Sequence, residues 1–140
     1  MSGRAWHDTG MATTARPGDA AIDAAVELLR AAGARFVFLH GSRAGGGERA
    51  DSDIDVAALF DHELDEADLR SRLPAGVDLL VLDRAPLELA GRVALHGRLL
   101  AQDDPARRVE WQAMTRKIYL DERFRVEQAR ADFAEAQRGG

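Results

Sequence analysis

Two short motifs beside apolar runs most constrain the fold of this 140-residue chain. One apolar run ends at Gly41-Ser42, and after ten further residues Asp53 and Asp55 lead into a second apolar run. A strand that ends in glycine and a small hydroxyl residue exposes backbone N–H groups that bind phosphate oxygens. Aspartates at positions i and i+2 of a strand point to the same face, about 7 Å apart along the backbone. Together these motifs predict a divalent-cation site beside a phosphate-binding turn.

Each motif also has a simpler interpretation. A Gly-Ser pair before a glycine run is typical of a flexible loop, and Asp-x-Asp is typical of a solvated turn or a helix cap. The coincidence of the two, and a further acid, Asp78, in the apolar run Val77–Leu82, favour the cation site. If these strands are neighbours, their carboxylates crowd together. Two carboxylates 5 Å apart repel by about 3 kcal/mol at an effective dielectric constant of 20, and a bound cation removes that cost.

This pattern resembles the nucleotidyltransferase superfamily of DNA polymerase beta, and within it the minimal nucleotidyltransferase (MNT) branch. The family motif of Gly-Ser, ten residues, Asp-x-Asp and a later acid falls on Gly41, Ser42, Asp53, Asp55 and Asp78. The likeness covers about residues 18–133. One departure concerns the loop: many members have Arg-Ala-Arg-Gly after the Gly-Ser pair, whereas here Gly45 stands in place of the second arginine.

The resemblance implies a role for each matched residue. The catalytic residues and metal ligands would be Asp53, Asp55 and Asp78, which would bind two Mg²⁺ ions. ATP would be the substrate, and its phosphates would be bound by Gly41, Ser42 and Arg43. Asp78 would also accept or orient the proton of the attacking hydroxyl.

Composition limits the remaining possibilities. With 46% hydrophobic residues and no cysteine, the chain has material for one core but none for a disulfide or thiolate site. The net charge is −5, and acids and arginines are interspersed without a basic stripe, so we expect no direct contact with nucleic acid. No apolar stretch has the length of a membrane span, which predicts a cytoplasmic protein without a membrane partner.

Hydrophobic periodicity predicts one α/β (α+β) domain, a small mixed β-sheet with helices packed on it. The resemblance implies that this domain has the polymerase-beta-type nucleotidyltransferase fold. Residues 1–16 are predicted to be a disordered extension, and residues 17–138 the nucleotidyltransferase domain with a long C-terminal helix. We expect Asp19 to cap the first helix and Met114 to lie in the core, and we assign His40 to packing. Strands are predicted at 35–40, 54–60, 77–82 and 98–101, and helices at 19–32, 64–73, 86–96 and after 105.

Three functions remain open. The resemblance implies an antitoxin that transfers AMP from ATP to a tyrosine hydroxyl of a helical HEPN ribonuclease toxin, its protein partner and substrate in a hetero-oligomer. An antitoxin that acts by binding alone is disfavoured because the acidic residues are intact. A small-molecule nucleotidyltransferase is disfavoured because the chain ends about 60 residues after Asp78, which leaves little material for an acceptor pocket.

Overall fold

The computed structural model describes residues 18–41 and 54–139, where four strands form one sheet in the order β3-β2-β1-β4. The predicted N-terminal extension lies outside these residues. β1 pairs antiparallel with both β2 and β4, whereas β2 and β3 run parallel. This mixed sheet confirms the predicted fold class. The strands are β1 (Phe36–His40), β2 (Ile54–Leu59), β3 (Val77–Val81) and β4 (Arg98–Gln102).

Four α-helices and one short 3₁₀ turn, Leu82–Arg84, accompany the sheet in the described part of the chain. The helices are α1 (Asp19–Ala31), α2 (Glu66–Arg72), α3 (Leu87–His96) and α4 (Pro105–Gly139). The prediction that Asp19 caps α1 is wrong, because Gly18 holds the cap position with φ of 95° and Asp19 is the first helical residue. There its carboxylate still faces the positive end of the helix dipole. No helix among the described residues is both apolar and long enough to cross a bilayer.

The two central strands are buried on both faces, so their alternating side chains supply two separate cores. The first core packs against α1 and α2 and contains Val37, Leu39 and Val56. The second packs against α3 and α4 and contains Phe36 and Phe38. Successive residues of a strand therefore face the first and the second core in turn. This alternation determines which side chains lie on the same face at the end of the sheet.

The start of α4 is held by ion pairs beside the first residues of β1. Arg35 Nη1 lies 2.7 Å from Asp104 Oδ2, and Arg107 Nε lies 2.7 Å from Asp61 Oδ2. Hydrogen bonding from the Arg107 guanidinium holds the pKa of the Asp61 carboxyl below its usual value. Asp104 also caps the helix, since its Oδ1 accepts a hydrogen bond from the Arg107 backbone N–H.

The inner face of α4 is partly polar. Its buried residues include Gln112 and Thr115 as well as two aromatic residues. Gln112 Nε2 and Arg116 Nε both donate to the Ala94 carbonyl oxygen, at 2.9 and 2.7 Å, so these polar groups are satisfied where they contact α3. The prediction that Met114 lies in the core is wrong, because this residue is 55% exposed on the outer side of the helix.

Close packing of α3 on α4 depends on Gly91. A Cβ atom at this position would overlap the ring of Tyr119, which lies against the α3 backbone. The Tyr119 hydroxyl is 3.4 Å from Glu88 Oε2, and Arg123 Nη1 is 3.3 Å from the same hydroxyl. The two helices therefore approach each other more closely than side chains on both of them would allow.

We expect Gly91→Ala to destabilise the domain by about 1–3 kcal/mol, because the added methyl group forces the Tyr119 ring out of its position. This loss exceeds the gain of about 0.5–1 kcal/mol that alanine normally gives in a helix. Chemical denaturation measures the difference. Gly139→Ala is the matched control, since no atom lies within 4 Å of a Cβ there, and equal stability of both variants would contradict the packing argument.

Candidate active site

Three polar residues form one row across the end of the sheet. His40 lies opposite Asp55 in the antiparallel pair β1–β2, and Asp55 lies opposite Asp78 in the parallel pair β2–β3. Residues opposite each other on neighbouring strands point to the same face, with Cβ atoms about 5 Å apart. The row lies on the face that carries the second core. The predicted neighbours Asp55 and Asp78 are thus adjacent in space, although 22 residues separate them in the sequence.

The two carboxylates differ in their surroundings. Asp55 is half-buried, whereas the Asp78 side chain is 70% exposed. Asp78 Oδ1 accepts a hydrogen bond from the Leu79 N–H and lies 3.7 Å from Arg70 Nη1. Arg70 is itself held by donating to the Leu79 carbonyl oxygen at 2.6 Å. An exposed ion pair of this length adds little stability, so Asp78 remains accessible to a ligand.

Gly41 closes the other side of the Asp55 carboxylate. Its φ of 83° lies in the left-handed region that glycine adopts without strain. A Cβ atom at this position would lie 2.8 Å from Asp55 Oδ2, which is tighter than side chains tolerate. The glycine of the Gly-Ser motif therefore lets the backbone approach a carboxylate directly, just after the end of β1.

His40 lies opposite Asp55 in this row, and its assignment to packing stays a prediction. It is half-buried at the end of β1, and burial lowers the pKa of its imidazole, while the nearby Asp55 and Asp78 carboxylates act in the opposite direction. Burial is the larger effect, so the ring is neutral near pH 7. The sequence signal for this position was its place directly before Gly41, but only strand pairing shows that it lies opposite Asp55.

The remaining predicted site residues, Ser42, Arg43 and Asp53, lie outside the described residues, and their roles stay predictions. Within residues 18–41 and 54–139, no cluster of three or more potential metal ligands is present. The Asp55–Asp78 pair nevertheless fits a divalent cation, because two carboxylates whose Cβ atoms are about 5 Å apart repel each other unless a cation lies between them. Hard oxygen ligands of this kind are those that Mg²⁺ prefers.

Comparison with known proteins agrees with this geometry. A family model described as polymerase beta, nucleotidyltransferase matches residues 26–106, which include Gly41, Asp55 and Asp78. The chain belongs to the polymerase beta nucleotidyltransferase family. A comparison with curated proteins finds no match.

Solved structures give a finer likeness within this nucleotidyltransferase family. A chain in the crystal structure of a toxin-antitoxin with AMP-PNP is 27% identical, with a TM-score of 0.54 over 74% of this chain and 94% of that one. A tyrosine-to-alanine mutant of the toxin-antitoxin MntA-HpeT is 25% identical, with a TM-score of 0.52 over 77% and 97%. A chain in the structure of a tri-AMPylated Shewanella oneidensis HEPN toxin in complex with MNT antitoxin is 24% identical and shares the fold with a TM-score of 0.52. This match covers 79% of the present chain and 96% of that one. The predicted resemblance to the MNT branch is confirmed.

We expect Asp55→Asn to leave the fold intact and equally or slightly more stable without Mg²⁺, because it removes carboxylate repulsion. The same change should abolish stabilisation by Mg²⁺-ATP, which reaches about 2.7 kcal/mol when the ligand is present at 100 times its Kd. Thermal melts with and without Mg²⁺-ATP measure both effects. Asp121→Asn, an exposed acid on α4 that pairs with Lys117, is the control. Equal ligand stabilisation of Asp55→Asn and wild type would exclude Asp55 as a ligand.

Proposed function

We propose that this protein is a Mg²⁺-dependent antitoxin that transfers AMP from ATP to a tyrosine hydroxyl of a partner HEPN ribonuclease toxin. The observation that carries the proposal is the row in which Asp55 faces Asp78 beside the left-handed Gly41. A pair of carboxylates next to a phosphate-binding turn is the arrangement that nucleotidyl transfer requires. Family membership supports the reaction class, and the acceptor is the further step of the proposal.

In this mechanism the residues of the chain bind, orient and move a proton. The N–H groups after Gly41, together with Ser42 and Arg43, would hold the β- and γ-phosphates of ATP. Asp53, Asp55 and Asp78 would hold Mg²⁺, which withdraws charge from the α-phosphate and the leaving pyrophosphate when bound.

The acceptor hydroxyl oxygen forms a bond to the α-phosphorus, and the bond from that phosphorus to the bridging oxygen of pyrophosphate breaks. The Asp78 carboxylate accepts the hydroxyl proton, so charge and atoms balance. Neutral His40 lies opposite Asp55 and places no competing positive charge beside that carboxylate.

The exposure of the site supports a macromolecular acceptor. Asp78 lies at the solvent-facing end of β3 on an edge strand of the described sheet, so a tyrosine side chain presented by another protein has a path to it. The similarity to a chain from a toxin-antitoxin with AMP-PNP supports both a toxin partner and ATP as the nucleotide. Adding AMP to a ribonuclease brings bulk and negative charge to a surface that must bind RNA phosphates, which blocks the nuclease.

Two alternatives make different predictions. An antitoxin that acts by contact alone would neutralise its partner without changing its mass, and would not depend on Asp53 or Asp55. A small-molecule nucleotidyltransferase would transfer AMP in the absence of any protein partner. The exposure of Asp78 disfavours a small-molecule nucleotidyltransferase, because small acceptors are normally bound in enclosed pockets.

Co-expression with a helical HEPN-family protein, which we expect to be encoded beside this chain, tests the reaction. We expect the partner to gain one or more adenylyl masses in intact-mass spectrometry, and purified components to require ATP and Mg²⁺. Asp53→Asn and Asp55→Asn should abolish the gain, whereas the control Asp121→Asn should retain it. A partner that is fully neutralised but unmodified would exclude the transfer reaction and leave the contact-only antitoxin.

Substitutions at Ser42 test the phosphate-binding turn. Ser42→Leu should reduce ATP binding and transfer at least tenfold, because its side chain fills the space that the phosphates need. Ser42→Ala should have a milder effect, since the backbone N–H groups remain available. Equilibrium binding of a fluorescent ATP analogue measures both variants, and wild-type affinity in Ser42→Leu would exclude this turn as the phosphate site.

A further inference from the structure

Arg70 of α2 lies against the outer edge of β3, beside Asp78. β3 is an edge strand of the described sheet, and its other side pairs with β2. Arg70 Nη1 donates to the Leu79 carbonyl oxygen at 2.6 Å, and Nη2 lies 3.2 Å from Glu66 Oε1. Glu66 is held in turn, because its Oε2 lies 3.0 Å from Arg84 Nη2. These contacts fix the guanidinium without any contribution from Asp78.

The Asp78 carboxylate is oriented by a different group. Its Oδ1 accepts a hydrogen bond from the Leu79 backbone N–H at 3.1 Å, whereas Arg70 Nη1 lies 3.7 Å from the same oxygen. A separation of 3.7 Å is too long for a hydrogen bond, but it is short for two opposite charges. Arg70 therefore acts on Asp78 through its charge, and the orientation of the carboxylate does not depend on it.

The Arg70 charge affects a bare cation and a nucleotide-bound cation in opposite directions. A divalent cation bound between Asp55 and Asp78 would lie near the guanidinium, and the two positive charges would repel each other. The complex of Mg²⁺ with ATP carries a net negative charge, so the same guanidinium attracts it. The acidic pair alone would bind either form of the cation, whereas the pair beside Arg70 favours the form that brings phosphates.

We propose that Arg70 determines the specificity of the acidic pair. It disfavours a bare divalent cation at Asp55 and Asp78 and favours the complex of that cation with a nucleoside triphosphate. The cation and the triphosphate then enter the site as one unit. This role rests on the proposed function, since the acidic pair is there the binding site for the cation of ATP.

Two substitutions separate the charge of Arg70 from its contact with Leu79. Arg70→Gln removes the charge but keeps an N–H donor, and Arg70→Lys keeps both a charge and a donor. Calorimetric titration of the full-length protein measures affinity, first for Mg²⁺ alone and then for Mg²⁺ with a non-hydrolysable ATP analogue. Because the Arg70 side chain is 42% exposed, low ionic strength is used to limit screening of its charge. Circular dichroism verifies that each variant is folded.

We expect Arg70→Gln to bind Mg²⁺ alone at least about threefold more tightly than the wild type, since the repelling charge is gone. It should bind the complex of Mg²⁺ with the ATP analogue no more tightly than the wild type, since an attracting charge is lost as well. Arg70→Lys should stay within about twofold of the wild type for both ligands. Arg72→Gln is the matched control, because Arg72 lies on the same helix but pairs with Asp68, and it should change neither affinity.

Three results would overturn the role of Arg70. The first is equal affinity of Arg70→Gln and the wild type for Mg²⁺ alone, or no binding of Mg²⁺ alone to either protein. The second is tighter binding that Arg70→Lys shares, because the effect would then come from the contact with Leu79 and not from charge. The third is a gain in affinity that is as large for the nucleotide complex as for the bare cation.

Asp55→Asn distinguishes these results from failure of the proposed function. If Asp55→Asn abolishes binding of the nucleotide complex while the Arg70 variants match the wild type, the acidic pair binds the cation of ATP and only the role of Arg70 is wrong. Binding of the nucleotide complex that Asp55→Asn leaves unchanged would instead remove the metal site on which both proposals rest.

Discussion

The register between β2 and β3 is the constraint on which the geometry of the active site depends. Asp55 and Asp78 meet because this parallel pairing places them opposite each other. A shift by one residue would turn Asp78 toward the other face of the sheet. The two cores prevent the shift, since Leu79 packs in the first core and Leu82 in the second. Slippage would bury a carboxylate in the first core and expose leucine side chains, which is costly on both faces. The alternation of apolar residues therefore fixes the positions of two charged residues, Asp55 and Asp78.

Stability and chemistry oppose each other at this end of the sheet. An apolar pair at the positions of Asp55 and Asp78 would extend the second core, whereas two facing carboxylates repel. The structure moderates the repulsion in limited ways, because Asp78 is largely solvated and Arg70 lies near it, whereas the neutral imidazole of His40 contributes no compensating charge. Neither removes the repulsion that a cation bound between the two carboxylates would relieve. Active sites commonly retain such local cost in exchange for function.

The alternation within β2 and β3 made part of this site predictable, because a period of two is visible in the sequence. Local pattern carries no information on which strands pair, so the place of His40 opposite Asp55 emerged only from the sheet. On α4 the hydrophobic pattern was misleading. Gln112 occupies the buried face because the Ala94 carbonyl satisfies its side chain, and Met114 is left outside. Sequence patterns register polarity but not the hydrogen bonds that compensate for it.

Two of the attachments of α4 respond to different conditions. Its first turn is held at the beginning of β1, about 15 Å along the strand from the acidic row, by exposed ion pairs such as Arg35–Asp104. Its middle is held by contact between Tyr119 and Gly91, which involves no charge. Ionic strength screens the former and leaves the latter unchanged. In concentrated salt the ion pairs of the first turn consequently weaken while the aromatic contact remains, so proteolytic cleavage near residue 104 would precede any loss of the acidic end of the sheet.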